Sequence, residues 1–462
     1  YVEVRMLARR IVIVGAGPAG TTAAIQARRT DRSSEVWLIG KESEPEYSRC
    51  GLPYAFSGIV SNLEALVSHS ASFYESVNKT KLLLKTECTR VRYDQKTVEV
   101  TDIQTGDTRE LIYDALVIAT GAVPTMPPIE GVDKNGVFAI RTLDDIRALA
   151  RHTEAREKSV AIIGAGLIGM EMAEAFARKG FKVTIVEVLP EILPAILDPD
   201  MACIVRERAE SQGIRIIRSA TASKILGEEQ AKGIVVGNET IKAETVIVAT
   251  RVKPDSRLAR EAGVEIGEAG GILVDERMST NLHNVYAAGD CVETRCAVTG
   301  RRLLIQLATT AVRQGLVAGA NAAGGTEEYA PSTGVATTRL FGLEVGCAGL
   351  TSDIAEDLGL TPISARVTGS TRLPYMPSIR EVTAKLLCNS KDRRLIGAQI
   401  VGEEDASWRA NFASLAMHAK LSVHEFRRME TCYAPPLAPV WDPLTLAALA
   451  LGRKLEASTK SH

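Results

Sequence analysis

The chain has 462 residues, with 55 Lys or Arg against 56 Asp or Glu, a net charge of −1 and 45% apolar residues. That length supports two or three domains with full cores, and the balanced charge argues against nucleic acid or another polyanion as partner. No apolar run reaches the roughly 18–20 residues that span a bilayer, so no membrane span is expected. The 8 cysteines are scattered without a Cys-x-x-Cys pair, which excludes a disulfide framework or a zinc site and fits a reducing compartment. The opening residues lead into a strand without a signal-peptide pattern, and a cytoplasmic location is expected.

The first element is a β-branched run, Ile11-Val12-Ile13-Val14, predicting a strand over 10–14. It ends in Gly15-Ala16-Gly17-Pro18-Ala19-Gly20, and a helix is predicted from there to about 29. In strand, Gly-x-Gly-x-x-Gly, helix, the first glycine makes the tight turn. The second lets the backbone approach a pyrophosphate, and the third lets helix and strand pack closely. The helix N-terminus then faces the phosphates. A second strand is predicted over 35–39, and the place after it, where an acid usually holds the adenosine ribose, has Gly40, Lys41 and Glu42. Glu42 is the substitute.

Residues 46–54 read Glu46-Tyr47-Ser48-Arg49-Cys50-Gly51-Leu52-Pro53-Tyr54. A helix is predicted over 52–59. A thiol at a helix N-terminus gains thiolate character from the dipole and the N–H groups, and Arg49 would push the same way. Cys50 is therefore the candidate reactive cysteine, against the plain alternative of a buried structural thiol. Residues 81–115 alternate apolar and polar as an antiparallel meander, and Ala115-Leu116-Val117-Ile118-Ala119-Thr120-Gly121-Ala122 is a buried strand running into a turn.

The pattern then repeats. Val160-Ala161-Ile162-Ile163 leads to Gly164-Ala165-Gly166-Leu167-Ile168-Gly169 and a helix. The next strand, Val183-Thr184-Ile185-Val186, ends at Glu187, where a carboxylate accepts from a ribose 2′-OH and repels a 2′-phosphate. A second meander closes on Val246-Ile247-Val248-Ala249-Thr250, with Arg251 where the first copy has Gly121. Two dinucleotide folds imply two dinucleotides. Further on, Asn284-Val285-Tyr286-Ala287-Ala288-Gly289-Asp290-Cys291 is another strand into a turn, with a helix predicted over 309–323 and Cys291 read as packed. Gly324-Gly325 and Pro331-Ser332 mark a linker. Strands at 343–347, 382–387 and 395–401 and helices at 353–358 and 408–418 follow. The Pro-rich run from Tyr433 to Pro443 comes next, then a polar tail after Gly452.

Taken together, these residues resemble the flavin-dependent pyridine nucleotide–disulfide oxidoreductases over essentially the whole chain. The resemblance is nearest to the group with a single active-site cysteine: coenzyme A-disulfide reductase, NADH oxidase, NADH peroxidase and NADH-dependent persulfide or polysulfide reductase. Cys50-Gly51-Leu52-Pro53-Tyr54 and Tyr433-Ala434-Pro435-Pro436 are similar to that group's markers. A dithiol enzyme would carry a second cysteine five residues away, where this chain has Pro45 and Ala55.

The resemblance implies an α/β chain of two Rossmann-like domains, for FAD and NAD, plus a C-terminal α+β dimerisation domain. The expected boundaries are 1–150 with 276–330 for FAD, 151–275 for NAD(P)H, 331–450 for dimerisation and 451–462 as a tail. It places FAD against Gly15, Gly17, Pro18, Ala19, Gly20, Lys41, Glu42, Ser48, Thr120, Gly121, Gly289 and Asp290, the last on a ribityl hydroxyl. It places NADH, in preference to NADPH, against Gly164, Gly166, Leu167, Ile168, Gly169 and Glu187. It also implies a homodimer in which Tyr433 reaches over Cys50 of the other chain, with Tyr375 near the place of a second active-site tyrosine.

Within the group, oxidases and peroxidases carry a histidine inside the first glycine motif. This chain has Pro18 there, which weighs against peroxide and oxygen chemistry. The disulfide reductases bind coenzyme A along the first helix, and their contacts fall on Thr22, Gln26 and Arg29, which share one helical face. Arg49 is counted with them as a substrate contact, but it, Glu46 and Trp441 depart from the pattern and leave the sulfur substrate open. The expected activity is NADH-dependent, FAD-mediated reduction of coenzyme A disulfide, a coenzyme A persulfide or polysulfide at Cys50, with Tyr433 and Tyr375 as proton donors. The alternatives are an NADH oxidase and a flavoprotein reductase of a protein or metal acceptor.

Overall fold

The computed structural model describes residues 8–154 and 156–460, and the side chains of 458–460 are outside the description. The first seven residues, the start of the stretch without a signal-peptide pattern, also lie outside it. The chain divides into two compact units. One gathers the chain up to Thr125 with Val252–Arg295 and Arg301–Ser332, and the other holds Met126–Arg251, Cys296–Gly300 and the chain from Thr333 onward.

The first unit is built on a five-stranded sheet in the order Val285–Ala287, Ala115–Ile118, Arg10–Val14, Glu35–Ile39 and Lys81–Leu83. All neighbours are parallel. Parallel strands are covered on both faces, so they read as unbroken apolar runs rather than alternating ones. Ile11, Ile13, Leu38, Leu116 and Val117 accordingly form the core. The helix Pro18–Thr30 packs along the helix Ala308–Ala322 at backbone contact. A Cβ at Gly315 would lie 2.3 Å from the Ala19 carbonyl oxygen, and one at Gly319 would lie 2.2 Å from that of Ala23. Thr86–Arg92, Thr97–Asp102 and Thr108–Ile112 form the expected antiparallel meander.

The second unit repeats the plan. Arg215–Ile217, Lys182–Val186, Ser159–Ile163, Thr245–Val248 and Val137–Phe138 make a parallel sheet, with a second antiparallel meander over Ala222–Leu226, Gly233–Val236 and Glu239–Lys242. The same unit carries an antiparallel sheet in the order Ala336–Leu340, Leu343–Gly349, Leu395–Gly402, Glu381–Asn389 and Pro362–Ser370. The three inner strands are the ones expected from sequence. The two edges escape it because Arg, Thr, Ser and Gly interrupt their apolar pattern.

One expectation is overturned. The polar segment after Gly452 is not separate from the C-terminal fold: the helix Pro443–Lys460 extends into it, and Leu451 and Leu455 of that helix are buried in the core of the C-terminal sheet. Ala447, Ala448, Leu451 and Leu455 recur at helical spacing and supply the apolar stripe that holds it. Among the described residues no helix is long and apolar enough to cross a membrane.

Candidate active site

The two glycine turns divide their labour alike. Gly15 sits at φ +114° and Gly164 at φ +105°, a region that L side chains avoid. In the first turn a Cβ at Gly20 would lie 1.8 Å from the Gly15 carbonyl oxygen, and in the second a Cβ at Gly169 would lie 2.0 Å from that of Gly164. The outer glycines are therefore required by packing. A Cβ at Gly17 or at Gly166 would meet nothing within 4 Å. That open space adjoins the start of the helices Pro18–Thr30 and Leu167–Arg178, neither of which has an acid in its first turn or a side-chain cap. Both turns thus offer room and backbone N–H groups to a pyrophosphate, so these residues fit two dinucleotides.

Glu187 is buried and fixed. Its Oε2 accepts from the Ala165 N–H at 2.6 Å and its Oε1 from the Leu189 N–H at 2.9 Å. The adjoining Val188 and Leu189 are exposed, so this rim is apolar and carries no cation on those two residues. Ile168 is partly exposed at the first turn of the helix Leu167–Arg178.

In the first unit, Thr120 donates its hydroxyl to the Asp255 carbonyl at 2.6 Å. Gly121 turns at φ +75°, whereas Arg251, its counterpart in the repeat, is not among the left-handed residues. The Gly289 N–H donates to Gln314 Oε1 at 2.8 Å, and Gln314 in turn donates to the Thr294 hydroxyl at 2.7 Å. This wholly buried glutamine sets the turn that presents Asp290. A lone Gln inside an apolar helical run was its signal in the sequence.

Cys50 is exposed, in a tight turn over Arg49–Gly51 that precedes the helix Leu52–Ser57. The helix is two residues shorter than expected, and its dipole is correspondingly weak. Arg49 donates to the Tyr47 hydroxyl at 2.8 Å, stacks over the Tyr47 ring at 4.8 Å and is ion-paired with Glu42. Burial opposes the guanidinium charge, but Tyr47, Glu42 and Asp290 outweigh it and raise its pKa. The Arg49 charge is thus shared with Glu42, a partner that the sequence did not reveal. Glu42 is committed to the same network, its other oxygen accepting from Tyr47. Of the neighbours expected against FAD, Lys41 is ion-paired with Glu87 at 3.1 Å and exposed, and Ser48 is exposed with its N–H donating to Leu66 at 2.8 Å.

Glu46 gives the same loop a second anchor. It accepts from the Thr21 hydroxyl at 3.1 Å and from the Tyr74 hydroxyl at 3.0 Å, with His69 at 4.0 Å. Burial and the Glu46 carboxylate push the Tyr74 pKa up. Periodicity could not reveal either anchor, because both join an irregular loop to distant elements. On the first helix Thr22 and Gln26 are half-buried and Arg29 is exposed, and Gln26 reaches Thr30 at 3.4 Å.

In the second unit Tyr375 and Tyr433 are both exposed. What burial Tyr375 has, with Tyr433 beside it, raises the Tyr375 pKa. Cys432 is exposed next to Tyr433, and Leu437, Val440 and Trp441 continue an exposed apolar run.

Residues 9–315 match the family described as pyridine nucleotide-disulphide oxidoreductase, and residues 335–443 match its dimerisation domain. An NADH oxidase of Methanocaldococcus jannaschii is 39% identical over 96% of this chain and 99% of its own length. An NAD(P)H coenzyme A polysulfide/persulfide reductase of Pyrococcus horikoshii is 35% identical over 96% of this chain and 98% of its own. Among solved structures, the NAD-dependent persulfide reductase from A. fulgidus superposes with a TM-score of 0.94 at 32% identity, covering 97% of this chain and 84% of that one.

Proposed function

The chain belongs to the pyridine nucleotide-disulphide oxidoreductases, an FAD-dependent NAD(P)H oxidoreductase with a dimerisation domain, and from that premise we propose that it reduces a sulfur–sulfur bond at Cys50. The substrate class is coenzyme A disulfide, a coenzyme A persulfide or polysulfide. The observation that carries this reading is the exposed Cys50 directly after a loop segment anchored twice, by Arg49 to Glu42 and by Glu46 to Thr21. The reductases of Pyrococcus horikoshii and A. fulgidus, named for persulfide chemistry, support it.

FAD would be held at the Gly15–Gly20 turn with Asp290, and the nicotinamide dinucleotide at the Gly164–Gly169 turn with Glu187. When bound, they supply two electrons to sulfur. The Cys50 thiolate attacks R–S–S–R′, forms Cys50–S–S–R and expels R′S⁻. The mixed disulfide then takes up two electrons, releasing RS⁻ and restoring the Cys50 thiolate. The balance is NADH + H⁺ + RSSR′ → NAD⁺ + RSH + R′SH. Tyr433 and Tyr375 of the partner subunit protonate the departing thiolates. Thr22, Gln26 and Arg29 hold the coenzyme A moiety, with Arg29 on a phosphate. Glu187 disfavours the 2′-phosphate of NADPH.

Anaerobic NADH oxidation with coenzyme A disulfide, coenzyme A persulfide and polysulfide tests the reading. The Cys50→Ser variant should retain FAD and lose all three activities, and full turnover in that variant would sink the proposal. A second reading, oxygen as acceptor, is favoured by the name of the Methanocaldococcus relative. It predicts oxygen uptake at saturating NADH that matches NADH loss without any sulfur substrate.

A further inference from the structure

The sulfur chemistry at Cys50 proposed above uses Arg49 only as an anchor, and the fold shows what that anchor joins. The parallel sheet of the first unit runs Val285–Ala287, Ala115–Ile118, Arg10–Val14, Glu35–Ile39 before its last strand. Glu42 stands three residues past the end of one of these strands and Asp290 three residues past the end of another. Between those two strands lie the ones that end in the Gly15 turn and in Thr120. The whole edge spans three strand spacings, about 14 Å. Arg49 is fixed to that edge through Glu42 and the buried Tyr47, and it is electrostatically coupled to Asp290. Cys50 is the next residue.

We propose that Arg49 is a positioning residue: its guanidinium fork fastens the Cys50 turn to the carboxyl edge of the sheet, through Glu42 and Tyr47, so that the thiol is held at the dinucleotide turn. The turn Arg49–Gly51 is three residues long and buries none of them, while the six-residue helix after it, Leu52–Ser57, is held by Leu52, Pro53 and Phe56, so the bonds of Arg49 are what orient the turn itself. Arg49 gives two differently directed bonds, one from Nη1 to Tyr47 and one from Nη2 to Glu42. Two bonds from a planar group fix orientation as well as distance, which a lysine ammonium cannot do. The Tyr47 ring under the guanidinium adds a third constraint. With the guanidinium charge paired to Glu42, placement is the role assigned to Arg49 at Cys50.

The test uses the FAD-loaded dimer and reads the thiol itself, so it does not depend on knowing the sulfur substrate. The pH-independent plateau rate of iodoacetamide alkylation at Cys50 is measured in wild type, Arg49→Met, Arg49→Lys, Tyr47→Phe and the Arg49→Met/Tyr47→Phe double variant. FAD content and melting temperature are followed in parallel. Loss of the fork should raise the plateau rate about tenfold in Arg49→Met, the size expected for one lost charge-assisted bond. Arg49→Lys should restore only part of the difference. Tyr47→Phe should shift the rate the same way by less, and the double variant should match Arg49→Met alone, because both residues act through one network. An unchanged plateau with FAD retained would overturn the proposal. So would a slower alkylation whose apparent thiol pKa rises, since that is the signature of a cation acting on the thiolate. Independent, additive effects of the two substitutions would do the same. If Cys50 is not the redox centre, Cys50→Ser keeps turnover while these alkylation differences persist, so the two readings fail separately.

Discussion

Lys385 places its ammonium 2.7 Å from Asp198 and 2.6 Å from Asp200, and both Lys385 and Asp198 are buried. Asp198 also accepts from the Ser352 N–H at 2.8 Å and from its hydroxyl at 2.6 Å. This cluster joins the start of the helix Pro199–Ser211 to the C-terminal sheet strand Glu381–Asn389, inside one unit. Burial would raise the Asp198 pKa, but Lys385 and Ser352 more than offset it and hold it below the usual value. Removing Lys385 leaves a buried carboxylate without its counter-charge, so Lys385→Met should destabilise by about 3–5 kcal/mol near neutral pH. A depressed carboxyl contributes stability above its unfolded pKa and loses it as pH falls through the folded value. The gap between wild type and variant should therefore be widest near pH 7 and shrink below about pH 4. Urea unfolding at several pH values checks both statements.

Glu171 gives the opposite sign. It is in the helix Leu167–Arg178 and accepts from the Thr338 hydroxyl at 2.7 Å. Burial, with Glu174 nearby, raises its pKa despite that bond. A carboxyl whose folded pKa is raised costs stability as pH climbs from the unfolded value past the folded one. Glu171→Gln keeps an acceptor for Thr338 and removes the charge. Its melting temperature should equal that of wild type near pH 4 and exceed it at pH 8.

The glycine turns predict a separation of folding from binding. Gly20→Ala and Gly169→Ala drive a methyl into a carbonyl oxygen and should cost at least about 2 kcal/mol. Gly17→Ala and Gly166→Ala face open space and should leave the melting temperature of the dinucleotide-free chain unchanged. Gly17→Ala should nevertheless lower FAD content after purification, while Gly166→Ala should keep FAD and raise the NADH dissociation constant. Absorbance at the flavin band and NADH titration distinguish the two.

Glu187→Ala should narrow the NADH preference. The carboxylate is held by the N–H groups of Ala165 and Leu189, which fixes it beside the second glycine turn, where the proposed function seats the ribose. Its loss should raise the NADH KM and lower the NADPH KM, moving the ratio by roughly tenfold. A ratio that stays constant would assign selectivity elsewhere.

The parallel sheets were legible because buried strands and glycine turns write themselves as local patterns: Ile11 to Gly20 and Val160 to Gly169 each carry strand, turn and helix in a dozen residues. The place of Glu187 at the end of the strand Lys182–Val186 was legible for the same reason. Glu42, Tyr47 and Arg49 were visible as residues but not as a network, because a loop has no period to tell which side chains face one another. Thr21 with Glu46 and Gln314 with Gly289 join elements far apart in the chain, and only the fold brings them together. The C-terminal helix was not expected at all: the Pro-rich run leads into it, and its polar face, Arg453, Lys454 and Glu456, masked the stripe of Leu451 and Leu455.

The strand Val285–Ala287 forms one edge of the first parallel sheet, and Gly315 and Gly319 of the helix Ala308–Ala322 lie against the first helix at backbone distance. During synthesis, then, the opening hundred or so residues must wait on the ribosome for two hundred more before their sheet and helix layer can close. The interrupting segment, contiguous in sequence, faces no such delay. The nascent chain should thus become competent for the nicotinamide dinucleotide before it can retain flavin, an order of assembly opposite to the order of the two glycine turns in the gene.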